Sequence, residues 1–95
     1  MNKPYYNPPL DAGIANIVEI LNLSGIETYE SCEGGSGHSY PEPTVCFHGE
    51  REEGFRALAI ALQNGLRVNG LKRVWKIIDG EPVGPTWEMT FFVSD

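Results

Sequence analysis

The stretch Thr44–Gly65, TVCFHGEREEGFRALAIALQNG, changes its hydrophobic period from two to nearly four within a few residues. That change decides the fold. In the first five residues Val45 and Phe47 face one way and Cys46 and His48 the other, the alternation of a half-buried strand. From Glu50 to Asn64, Phe55, Leu58 and Leu62 fall on one helical stripe. Glu50, Glu52 and Glu53 crowd the first turn, where the helix dipole favours negative charge, and Gly65 suits the left-handed position that ends a helix. A strand therefore runs directly into a helix.

Working outward, the same order is met twice. Upstream, Leu10 to Gly25 carries Ile14, Ile17, Val18 and Leu21 at i, i+3, i+4 and i+7, and Ile26 to Ser31 reads as a strand. Downstream, Lys72–Ile78 and Trp87–Val93 read as two arms of a hairpin around a loop spanning Asp79–Pro85. Val74 and Ile78 face one way on the first arm, Trp75 and Ile77 the other. Helix, strand, strand, repeated, gives an α+β two-layer sandwich in αββαββ order. Its expected form is a four-stranded antiparallel sheet with two helices on one face. This is also what a ferredoxin-like βαββαβ domain becomes when its first strand moves to the end. Residues 1–9 form an extended arm rich in Pro and Tyr, and residues 10–95 a single domain. Apolar groups on both faces of the hairpin call for the helices on one side and a partner or ligand over part of the other.

Composition narrows the function classes. The formal charge of −6 disfavours duplex nucleic acid and acidic membranes, both of which select basic surfaces. No apolar run approaches the roughly 20 residues of a membrane span, and the first residues have no apolar leader. The expected location is cytoplasmic, with Cys32 and Cys46 as reduced thiols. After Lys3 the other six basic residues lie between Arg51 and Lys76, so a local anion site is compatible with the acidic whole.

Ser31–His38, SCEGGSGH, concentrates the chemistry. Gly34, Gly35 and Gly37 free backbone N–H groups to converge on an anion, with His38 and Tyr40 beside them. The loop matches neither the P-loop nor the dinucleotide fingerprint, and its plain reading is a long connection stiffened by Tyr40-Pro41-Glu42-Pro43. Cys32, His38, Cys46 and His48 make a C-x5-H-x7-C-x-H set that zinc would accept, although it lacks the tight hook of structural zinc sites. The plain alternative there is a half-buried Cys46 and a surface His48. Cys32 with His38 could form a nucleophile and base, but Glu30 and Glu33 flank the thiol and oppose its ionisation. Arg51 sits at the mouth of the second helix. Arg73 and Trp75 share a strand face, suited to holding phosphate and stacking a base; equally, Arg73 is a solvent-facing cation with its stem over a core Trp.

The run Gly25–Glu50 resembles a family of small phage and bacterial proteins that carry an S-C-x-G-G-x-G-H loop followed by P-x-P-T-V-x-F-x-G. The resemblance covers about a quarter of the chain and implies a shared site around Ser31, Cys32, Gly34, Gly35, Gly37, His38, Pro43 and Phe47. It attaches no reaction to them. Where it leads one to expect a basic residue between Val45 and Phe47, this chain has Cys46. By analogy of size and ingredients it implies a phage-type sponge that sequesters a nucleotide immune signal. The leading expectation is thus non-enzymatic binding of a small anionic, nucleotide-derived ligand, with no cofactor. The ligand-binding residues would be Ser31, Cys32, Gly34, Gly35, Gly37, His38, Tyr40, His48, Arg51, Arg73 and Trp75. A homodimer sharing the site is one way for so small a domain to enclose such a ligand. Two alternatives stay open: a small hydrolase using Cys32 or His38, with or without a metal, and a protein-interaction module.

Overall fold

The period change at Thr44–Gly65 marks a real junction. A computed structural model describes residues 14–37 and 39–93; the expected arm at residues 1–9 and the first helical residues, 10–13, lie outside them. The elements are α1 (Ala15–Leu23), β1 (Thr28–Cys32), β2 (Thr44–Phe47), α2 (Arg51–Gln63), β3 (Val68–Ile78) and β4 (Glu81–Phe91). The four strands form one antiparallel sheet in the order β1-β2-β4-β3. A ferredoxin-like chain with its first strand moved to the end has this arrangement.

Register fixes which face is the core. Val45 lies opposite Met89 and Phe47 opposite Trp87, so these four, with Phe91, line one face of the sheet. Ile14, Val18 and Leu21 of the first helical segment and Ala57 and Ala61 of α2 pack on that face. Both helices end alike. The N–H of Gly25 donates to Asn22 O and that of Ile26 to Leu21 O; Gly65 and Leu66 repeat the pattern on Leu62 O and Ala61 O. These paired bonds need a left-handed residue at the turn, and Gly25 and Gly65 supply it at φ 90° and 73°. In each case the next residue, Ile26 or Leu66, turns into the core. Arg56 then ties the helices together, donating to Ser24 O and Gly25 O at 3.0 and 3.1 Å. None of the described helices is long and apolar enough to cross a membrane.

Two expectations are corrected. The buried stripe of α2 is Gly54, Ala57 and Ala61, with Leu58 half-buried, whereas Phe55 and Leu62 are 52% and 57% exposed. The cause is proximity. A Cβ on Gly54 would stand 2.4 Å from the Trp87 ring, so the helix lies too close to the sheet for large side chains on its inner line. The expected Asp79–Pro85 loop is instead a turn at Asp79-Gly80, and the strands pair Ile78 with Glu81, Ile77 with Pro82 and Lys76 with Val83. The hairpin therefore continues past the last β2 partner, Trp87, as a two-stranded arm.

Candidate functional site

The expected site residues divide between the two ends of β2. Ser31, Cys32, Gly34, Gly35, Gly37 and Tyr40 belong to β1 and the loop that enters β2 at Thr44; His48, Arg51 and Arg73 gather at the other end, where β2 gives way to α2. His38 lies outside the described residues.

At the loop end the chain is folded back on itself. The N–H of Gly34 donates to Cys32 Sγ at 3.4 Å and that of Gly35 to Pro41 O at 3.0 Å, so two of the glycine amides have partners inside the loop. Gly34 has φ 83°, and a Cβ there would be 2.4 Å from the Glu42 carbonyl carbon. Glycine is required at that crossing whatever the loop binds. Phe91 N–H donates to Pro43 O, Thr44 Oγ1 to Glu42 O, and Asn69 Nδ2 to the Glu42 carboxylate. The return half of the loop is thereby fixed to the sheet.

Tyr40 carries that loop over the face of the sheet away from the helices. Its hydroxyl and the Cys46 thiol share a 3.4 Å hydrogen bond above a fully buried Cys46. Lys76 Nζ reaches the same point from the hairpin arm, donating to Glu30 Oε1 at 2.8 Å and to the Tyr40 hydroxyl at 3.2 Å. It also lies 3.7 Å from Cys46 Sγ and 5.1 Å from the centre of the Tyr29 ring. Burial pushes the Cys46 thiol up, against the opposing pull of the Tyr40 bond and the Lys76 charge. Burial also raises Tyr40, and its bond to Cys46 adds to the rise. Burial works against the Lys76 ammonium, yet its bonds to Glu30, Tyr40 and Tyr29 outweigh that and raise its pKa. This network is a neutral thiol and phenol around a retained cation. It is poorly suited to nucleophilic chemistry at Cys46, which needs the thiolate.

At the α2 end the cations lie on rings. Arg73 sits 5.4 Å above the Trp87 ring and 3.6 Å from Glu50 Oε2. Its aromatic partner is Trp87 rather than Trp75, because Arg73 stands directly across from Trp87 in the β3–β4 register while Trp75 is exposed. Arg73 is thus placed against a core Trp, with its guanidinium over the ring. Arg51 lies 5.6 Å over Phe55. Trp87 Nε1 donates to Gly49 O and Glu50 O, which pins the entry to α2. The N-cap Glu50 makes no side-chain capping bond, and the Glu53 N–H donates to Glu50 O at 3.1 Å, so what the first turn offers is its dipole.

Beside this mouth is a cleft of about 260 Å³ lined by Gly25, Glu27, Thr28, Tyr29, His48 and Glu53. His48 stacks on Tyr29 with ring centroids 4.3 Å apart. Among the described residues no group of three or more His, Cys, Asp or Glu is placed to hold a metal ion, and both cysteines are free thiols. Sequence reasoning missed Lys76, Glu30 and Tyr29 as partners. Their meeting depends on the bulge between Thr28 and Glu30 and on the length of the arm, neither of which has a sequence signature. Compared with family models, curated proteins and solved structures, the chain finds no match.

Proposed function

We propose that the chain binds a small anionic, nucleotide-derived ligand without turning it over, as a phage-type sponge working in the cytosol, the host's if the chain is phage-encoded. The observation that carries this reading is the mouth of α2. Two guanidinium groups, Arg51 and Arg73, lie over aromatic rings beside a helix start whose N-cap makes no side-chain capping bond. Guanidinium groups already positioned by aromatic rings lose less freedom when they grip a phosphate. The neighbouring carboxylates are partly answered: Glu53 takes two bonds from Arg56, each 3.0 Å, and Glu50 faces Arg73. The phosphate seat thus moves from the glycine loop to the α2 mouth, because Gly34 and Gly35 donate elsewhere.

Calorimetry with GMP, AMP and pyrophosphate tests the reading. The double variant Arg51→Ala, Arg73→Ala should bind each at least about tenfold more weakly, the loss of one charge-assisted contact or more. Arg67→Ala, an exposed cation beyond the opposite end of α2, should bind as the parent does. Equal affinity for parent and double variant sinks the proposal. The hairpin arm favours a second reading, a protein-interaction module whose occupant is a second copy of the chain. Trp75 and Ile77 are 59% and 68% exposed on it, with Ile78 and Val83 beside them.

A further inference from the structure

The cleft next to the α2 mouth has a polarity of its own. Its hydroxyl protons are already committed: Thr28 Oγ1 donates to Asn22 Oδ1 at 3.5 Å, and Tyr29 OH to Thr86 Oγ1 at 2.9 Å. The charged side chains that line the cleft are Glu27 and Glu53, with the ring of His48 stacked on Tyr29 beside them. Carboxylates accept only, so the complementary ligand is flat on one side and rich in N–H donors along an edge. About 260 Å³ is slightly below the usual range for small-molecule pockets. It suits one ring system and leaves charged appendages outside. Those appendages would meet α2 at once, since Glu53 is in its first turn and His48 lies just before its N-cap.

We infer that this cleft is a base pocket selective for guanine. The inference rests on the anion-binding reading for where the phosphate goes. Guanine alone among the four common bases presents adjacent donors, N1–H and the N2 amine, on one edge, and a carboxylate can accept both side by side. Adenine and cytosine place a ring acceptor beside their amine, and uracil flanks its single N–H with two carbonyls, so each would set an acceptor against Glu27. Glu53 is held by both of its oxygens to Arg56, which leaves the exposed Glu27 to do the reading. His48 supplies a stacking face for any base.

The test compares GMP with IMP, which lacks only the N2 amine, and with pyrophosphate, which has no base. GMP should bind the parent about tenfold more tightly than IMP. Glu27→Ala should bring GMP down to the IMP level. Removing a negative charge would otherwise strengthen binding of an anion, so a weakening cannot come from overall charge. His48→Ala should weaken GMP and IMP alike, and neither variant should weaken pyrophosphate. Both positions are exposed, and unchanged melting temperatures confirm the fold. If GMP and IMP bind equally while Arg51→Ala, Arg73→Ala weakens both, the guanine pocket is overturned and the anion site stands. If GMP, IMP and pyrophosphate all fail to bind, both fall.

Discussion

Lys76, Tyr40 and Cys46 are three groups whose protons the fold holds on to. Each has its pKa raised in the folded chain, so each contributes stability that is complete below its ordinary value and lost as pH climbs above it. The ordinary values are 9.0 for Cys46, 10.0 for Tyr40 and 10.5 for Lys76, which makes the thiol the first to matter. Unfolding free energies from urea titration should stay level from neutral pH to about 9 and then fall, by about 1 kcal/mol per pH unit. Cys46→Ala should start lower, having lost packing, but hold level to about pH 10. Parallel curves for the two proteins would show that Cys46 is not the alkaline weak point. None of this was visible from Cys46 itself, because its meaning comes from Tyr40 and Lys76, one brought by a loop and the other by an arm.

α2 shows what a one-dimensional pattern leaves out. Phe55, Leu58 and Leu62 are the obvious apolar stripe, yet the buried line is Gly54, Ala57 and Ala61. Helical spacing marks both lines, and only the distance between helix and sheet chooses between them. Ala61→Leu should therefore cost about 1–3 kcal/mol by overpacking, whereas Leu62→Lys should stay within about 0.5 kcal/mol, read from urea unfolding. The reverse ranking would mean that the helix is rotated. Where one periodicity had no rival the reading carried through: α1, with Ile14, Val18 and Leu21 buried, and β2 are where the sequence puts them. β4 misled for a different reason. Pro82, Gly84 and Pro85 look like a loop, but beyond Trp87 this strand has a neighbour on one side only. Proline is tolerated on such an edge. At the candidate site, residue types were legible and grouping was not: Arg51 and Arg73 could be picked out as candidate cations, whereas their distance from the glycine loop follows from the direction of β2.

Seen whole, the arm extends beyond the four-stranded part of the sheet as a two-stranded ribbon, of a kind that is marginal alone in water. A second copy packed on it would cover Trp75 and Ile77. Sedimentation equilibrium should find a dimer for the parent and a monomer for Trp75→Glu, Ile77→Lys; a parent that stays monomeric as its concentration rises removes the second copy as occupant. The strand order β1-β2-β4-β3 has a quieter consequence. Exchange the two αββ halves and the order reads the same, with β2 and β4 meeting antiparallel at the centre. The chain is thus a fused twin, each half closing the open strand edge that the other would leave, as two subunits do across a two-fold axis. What separates the twins is how each joins its two strands. The first keeps them short and invests in a connector that folds back as a roof over the sheet. The second spends almost nothing on its turn and lets the strands run out as a probe. The same slot in the same plan has become shelter on one side and reach on the other.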